Sequence, residues 1–281
     1  MRSKLFVPGS RPDLFPKALA SAADAISLDL EDAVAEADKA SARAAVWEFL
    51  GSEAARASSK QWIVRCNAPE SPHFEADVEA LLGSGLDQLN IPKLHGEAHA
   101  RETLARLSAI ERRRGLTPTF SVLANIETPG ALIEAAGIAA ADPRICGLQL
   151  GLADLFEELG IARDDSANVH AVLFKLRLAA GRAGLPVIDG AFPHISDLAG
   201  FEAEARMARR LGFAGKSCVH PSQIAAANAV FAPSLQELSW ARRVVAAAAG
   251  QAGVFMLDGR MIDRPFIKRA EQLLAAVENK S

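Results

Sequence analysis

The chain has 281 residues, 50% hydrophobic and 23% charged, with a net charge of −3. This is an ordinary globular composition with apolar material for a large core. It argues against a nucleic-acid partner, which needs a basic surface, and against a membrane span, which needs about 20 consecutive apolar residues.

Short β-type runs alternate with longer amphipathic stretches. The expected strands are Lys4–Pro8, Ala25–Leu30, Trp62–Asn67, Gln88–Pro92, Phe120–Ile126, Gly147–Leu152, Pro186–Ala191 and Lys216–Val219. Between them, Ala-rich segments such as Arg11–Ala22, Lys39–Leu50, His73–Leu82, Ala98–Arg114, Gly130–Ala139, Ala167–Ala183 and Asp197–Leu211 read as helices. Eight strand–helix units predict an α/β fold, a (β/α)8 TIM barrel over residues 1–222, with strands apolar because both faces are covered. Residues 223–281 form an addition, a C-terminal helical extension or lid. In it Gln223–Ala232 and Leu235–Ala249 read as helices, Gly250–Gly253 as a joint, Val254–Ile262 as a short piece and Pro265–Asn279 as a last helix. Cys66, Cys146 and Cys218 lack close spacing, and no secretory leader opens the chain. Both features suit a cytoplasmic protein with neither a disulfide framework nor a zinc site built on its cysteines.

Barrel active sites lie at the C-terminal strand ends. Those ends carry Asp29, Glu31 and Asp32, then Arg65, Lys93, Glu127, Asp154, Asp189 and His220. Glu127 and Asp154 are one strand–helix unit apart, so a barrel sets them side by side on one rim. Adjacent carboxylates repel unless a cation separates them, which predicts a hard divalent ion such as Mg2+. Arg65 offers a planar fork for a substrate carboxylate, or an ion pair with Glu31 or Asp32. Those two acids are expected to support Arg65 or metal-bound water. Lys93 reads as a neutraliser of substrate charge more readily than as a Schiff-base lysine. Gly9 permits either close backbone approach to a ligand or a plain turn, and His220 is either a site residue or structural.

Several stretches resemble the HpcH/HpaI aldolase–citrate lyase superfamily, in its citrate lyase β-subunit-like (CitE-like) branch. They are Leu5–Pro12, Leu28–Val34 with Lys39 and Arg43 downstream, Val64–Asn67, Ile126–Ala131, Gly151–Leu155, His220–Gln223 and Gly259–Pro265. The resemblance implies a barrel assembled as homotrimers or hexamers. It implies Mg2+ held by Glu127 and Asp154, with Arg65 gripping a small 2-oxo acid. It further implies that Asp263 closes over a neighbouring subunit's site as the general acid/base, with glycines near 250–253 and 259 as hinge. Arg11, Lys39 and Arg43 are then candidates for the phosphates of an acyl-CoA. The implied activity is Mg2+-dependent cleavage or formation of a carbon–carbon bond in a citryl-, citramalyl- or malyl-CoA-type 3-hydroxyacyl thioester. The alternatives are an aldolase of free 4-hydroxy-2-oxo acids, a malyl-CoA thioesterase and a non-catalytic lyase-complex subunit.

Overall fold

In the computed structural model, which describes residues 1–250 and 253–278, eight parallel strands close into a barrel in chain order. They are β1 (Ser3–Pro8), β2 (Ala25–Asp29), β3 (Gln61–Arg65), β4 (Gln88–Ile91), β5 (Ser121–Ile126), β6 (Ile145–Leu150), β7 (Val187–Asp189) and β8 (Gly215–Cys218). Closure pairs Ser3 with Lys216 and Leu5 with Cys218, which removes the edge strands. Every expected strand is present, displaced at its ends by one or two residues. In β6 the displacement matters for the site. Pairing stops at Leu150, Gly151 caps a helix Leu152–Glu157, and Asp154 falls in that helix's first turn.

The strands have two different faces. Leu5, Val7, Leu28, Val64, Leu89 and Leu148 belong to the large apolar core, which includes buried residues of the surrounding helices. Helix Glu97–Arg113 shows how its sequence specifies this: Ala100, Leu104, Leu107 and Ile110 recur at three- and four-residue spacing and are the buried face. It ends where Gly115 takes φ 69°, a left-handed position that a glycine adopts without strain. The inner face is not apolar as expected. Lys4 on β1 donates through Nζ to Gln149 Oε1 on β6. These strands are not neighbours, so the bond crosses the lumen. Strand alternation puts Lys4, Ser27, Asp29, Arg65, Asn125 and Gln149 on this inner surface, and Ala25, Ile63 and Leu123 form a small separate apolar cluster. Burying such groups costs free energy unless they bond to one another, and the interior is built around such bonds.

Contacts divide the chain after Phe231, nine residues beyond the boundary expected from sequence. Helix Ile224–Phe231 packs on β1 and β8 and adds Ile224, Ala227 and Phe231 to the barrel core. The second unit, from Ala232, contains helices Leu235–Ala248 and Arg264–Glu278 and an antiparallel pair, β9 (Phe255–Leu257) and β10 (Arg260–Ile262). Ala241, Val244, Phe255, Ile262 and Ala270 form its own core. Ser234 and Glu237 close a reciprocal capping box at its first helix. Asp258 (φ 50°) and Gly259 (φ 75°) are the two turn residues between the strands, both left-handed as a type I′ hairpin requires. Gly259 therefore fixes a hairpin turn, not a hinge. Gln251 and Ala252 of the expected joint, and Asn279 of the expected last helix, lie outside the described residues. Among the described residues no helix is long and apolar enough to cross a membrane.

Candidate active site

The site begins with a register pair. Asp29 ends β2 opposite Arg65, which ends β3. Arg65 donates from Nε and Nη2 to the two oxygens of Asp29, both at 2.7 Å. Its Nη1 reaches Glu31 Oε2 at 2.9 Å and Asp32 Oδ2 at 3.4 Å, and the guanidinium lies over the Phe6 ring, 5.3 Å from its centroid. Burial opposes the charge on Arg65, but Asp29, Glu31 and Asp32 outweigh it and raise its pKa. Burial likewise opposes the Asp29 carboxylate, and Arg65 outweighs that and holds its pKa low.

Lys93 follows β4 with φ 52°, a left-handed conformation uncommon for a residue with a Cβ. That conformation accompanies a short bond, from the Lys93 amide to Glu127 Oε1 at 2.6 Å. Its ammonium lies 3.0 Å from Glu31 Oε1 and 3.1 Å from Asp32 Oδ1. Burial lowers its pKa, and the two carboxylates more than reverse this. A Schiff-base lysine needs a neutral amine, so the geometry makes Lys93 a charge-balancing residue.

Glu127 follows β5 and is 2% exposed. Asn125, two residues earlier on the same strand face, donates from Nδ2 to its Oε2. Burial, then the charges of Glu31 and Asp154, push the Glu127 carboxyl up to about 8. Burial, opposed by Arg65 and reinforced by Asp32, pushes Glu31 to about 7. Asp154 is half-buried. Gly151 lets its helix start against Glu127, because a Cβ there would sit 2.5 Å from Glu127 Cβ and 2.6 Å from Oε2.

These residues fit a hard divalent cation. Glu127 is a buried carboxylate whose hydrogen-bond donors are one amide N–H and one side-chain amide, while two further acids repel it. Asn125 Oδ1 is also buried without a hydrogen-bond partner. An all-oxygen donor set that is short of positive charge matches Mg2+. Lys4 is fully buried in the lumen, where burial, then the charge of Arg65, lowers its pKa well below the usual value.

Thus Arg65, Glu31, Asp32 and Glu127 come together, and Asp154 lies near enough to act on Glu127 electrostatically. The phosphate-binding candidates do not join them. Lys39 is buried and donates to the carbonyls of Leu30 and Glu31 at 2.9 and 2.7 Å, tying down the end of β2. Arg43 donates from Nε to the buried Asp77 at 2.7 Å. Arg11 is exposed and forms a two-point pair with Asp13 at 2.9 Å. Asp189 leaves the expected ring of rim charges. It is buried against Lys216 at 2.6 Å, and Lys216 also holds Glu204 at 2.6 Å, beside a cavity of about 370 Å³ lined in part by Arg163, Phe192 and Glu204. His220 is a cap, accepting at Nδ1 from the Ser222 amide. Gly9 serves a turn, since its amide meets Asp29 O at 2.7 Å and a Cβ would clash with that oxygen. Asp263 lies in the second unit immediately before its last helix, and its Oδ1 is buried without a hydrogen-bond partner.

Sequence reasoning missed Lys4, Asn125 and Gly151. Period-two alternation points to Asn125 through Glu127, and Lys4 was visible as the charged first residue of the run Lys4–Pro8. Nothing local marks Gly151 as the residue that clears space for Glu127.

The family model for HpcH/HpaI aldolase/citrate lyase matches residues 2–221. The L-malyl-CoA/β-methylmalyl-CoA lyase of Cereibacter sphaeroides is 38% identical, over 99% of this chain and 94% of that protein. A (3S)-malyl-CoA thioesterase of the same organism is also 38% identical with the same coverage. Among solved structures, the protein CitE of Mycobacterium tuberculosis in complex with magnesium, acetoacetate and coenzyme A aligns with TM-score 0.76 and 35% identity, covering 98% of each chain.

Proposed function

Because the chain belongs to the HpcH/HpaI aldolase/citrate lyase family, we propose that it is a Mg2+-dependent carbon–carbon lyase of 3-hydroxyacyl-CoA thioesters, of the citryl-, citramalyl- or malyl-CoA type. The observation that carries this reading is the buried Glu127 carboxylate, bonded at Oε1 to the Lys93 amide and joined through the Lys93 ammonium to Glu31 and hence to Arg65. The magnesium and coenzyme A in the CitE structure support it.

Glu127 and Asp154 would hold Mg2+. When bound, the ion polarises the carbonyl of a 2-oxo acid as a Lewis acid. Arg65, fixed on Asp29 through Nε and Nη2 and on Glu31 through Nη1, would direct its remaining Nη N–H groups at the substrate carboxylate and offset negative charge on the oxygen that becomes the hydroxyl. Glu31 and Lys93 hold that edge in place. In the condensing direction Asp263 takes a proton from the α-carbon of the acyl-CoA, that carbon bonds to the carbonyl carbon, and the carbonyl oxygen takes up a proton from solvent. Cleavage runs the same steps in reverse, and Asp263 returns its proton. The unpartnered Asp263 Oδ1 suits such a role. The assembly is a homotrimer, or a hexamer made of trimers, in which Asp263 serves a neighbouring subunit, the protein is cytoplasmic, and the unit that begins at Ala232 acts as the lid.

The test is turnover of citryl-, citramalyl- and malyl-CoA by purified protein with and without Mg2+. Release of an acyl-CoA and a 2-oxo acid supports the lyase. Release of free CoA and malate supports a hydrolase, the second reading that the thioesterase relative favours. Inactivity on every thioester with cleavage of free 4-hydroxy-2-oxo acids overturns both.

A further inference from the structure

Glu70, in the loop after β3, His95, in the loop after β4, and His99, in the first turns of helix Glu97–Arg113, converge outside the Glu127 site. Glu70 Oε1 lies 2.9 Å from His99 Nε2 and 3.4 Å from His95 Nε2. The imidazoles stack with centroids 5.0 Å apart and 18° between their planes. Ligands bound at about 2.0–2.1 Å to a tetrahedral centre are separated by about 3.3 Å; Glu70 Oε1 already stands near that spacing from both imidazoles, and one ligand atom from each of the three residues lies within 4.8 Å of the others.

The backbone under them is held. Thr128 Oγ1 donates to Leu94 O at 2.9 Å, and Gly130 abuts the carbonyl of His95 so closely that a Cβ would lie 2.3 Å from it. Arg106, on the same helix as His99, donates to Pro69 O at 2.9 Å and so ties the Glu70 loop to that helix. His95 and Glu70 are more than half exposed, which leaves a side open to solvent for a further ligand.

Two imidazoles with one carboxylate form a donor set for borderline cations, whereas Mg2+ takes oxygen ligands. We propose that Glu70, His95 and His99 form a second cation site, one that takes Zn2+ or a similar transition ion in preference to Mg2+. In the ion-free ring His99 Nδ1 accepts from the His95 amide at 3.1 Å. Coordination at Nε2 moves the ring proton to Nδ1 and releases that amide, so ion binding leaves a signature on the His95 N–H.

The full chain, first saturated with Mg2+, is titrated with Zn2+ by calorimetry and with Co2+ by visible absorption. The expected result is one Zn2+ per chain that excess Mg2+ does not displace, a tetrahedral Co2+ spectrum, and a changed His95 amide signal. H95A/H99A should weaken Zn2+ binding at least about tenfold while leaving Mg2+-dependent turnover unchanged, and E127Q should leave Zn2+ binding intact. The proposal is overturned by equal Zn2+ affinity in H95A/H99A, by Zn2+ binding that Mg2+ competes away, or by no binding at about 1 mM Zn2+. Failure of these arms does not touch the lyase reading, which the thioester panel tests separately.

Discussion

Asp29 and Arg65 are opposite one another in the β2–β3 register, and the same two residues close a two-point ion pair at the barrel mouth with both arms at 2.7 Å. The backbone ladder thereby sets the orientation of the guanidinium before any substrate arrives. A lysine at position 65 keeps the charge and loses the fork. Arg65→Lys should reduce kcat/KM at least about 100-fold, with KM for the oxo acid raised. Asp29→Asn leaves a buried guanidinium short of its main partner and should cost about 3–5 kcal/mol by denaturant unfolding. Wild-type kinetics in Arg65→Lys would remove Arg65 from the site.

Gly151 supplies clearance that no other residue can. A Cβ there meets Glu127 Cβ and Oε2 inside 3 Å. Gly151→Ala should displace Glu127 and weaken Mg2+ binding at least about tenfold, read by calorimetry, while far-UV circular dichroism stays the same. Unaltered affinity would show that Glu127 is not a ligand.

The acids of the site predict how stability depends on pH in protein stripped of divalent ions. Glu31 and Glu127 have folded pKa values of about 7 and about 8, raised above the ordinary 4.5. Between these limits the native state binds more protons than the unfolded chain, so stability falls as pH rises from about 4.5 towards 8. Mg2+ binds the ionised carboxylate and releases its proton, so the rise in Tm on adding Mg2+ should grow over the same range. A Mg2+ effect that is flat between about pH 6 and 8.5 would contradict the assignment.

Asp263→Asn should keep Mg2+-dependent stabilisation by pyruvate or oxaloacetate and lower kcat about 10²–10⁴-fold, the range for loss of a general acid/base. Undiminished turnover would leave the C-terminal unit without a chemical role.

Lys39 separates a structural role from a substrate role. Its ammonium serves two carbonyls at the end of β2. Lys39→Met should cost about 1–3 kcal/mol of stability and leave KM for the acyl-CoA unchanged. A raised KM at full stability would return Lys39 to the phosphate-binding set.

The sequence by itself determined the barrel, because each strand and helix announces itself through local periodicity: apolar runs such as Trp62-Ile63-Val64, and helix faces such as Ala100, Leu104 and Leu107. It also determined that Arg65, Glu127 and their acidic neighbours lie at one end, since strand termini in a parallel barrel share a rim. Tertiary structure alone decided which charges belong to the site. Asp189 ends β7 and Lys39 opens the helix after β2, yet their partners are a buried lysine and two carbonyls. Lys4 lies at the start of a strand and still reaches across to β6. The physical reason is that a charge is settled by its nearest partners in space. Closing the barrel brings together atoms more than a hundred residues apart, a distance that no local pattern encodes.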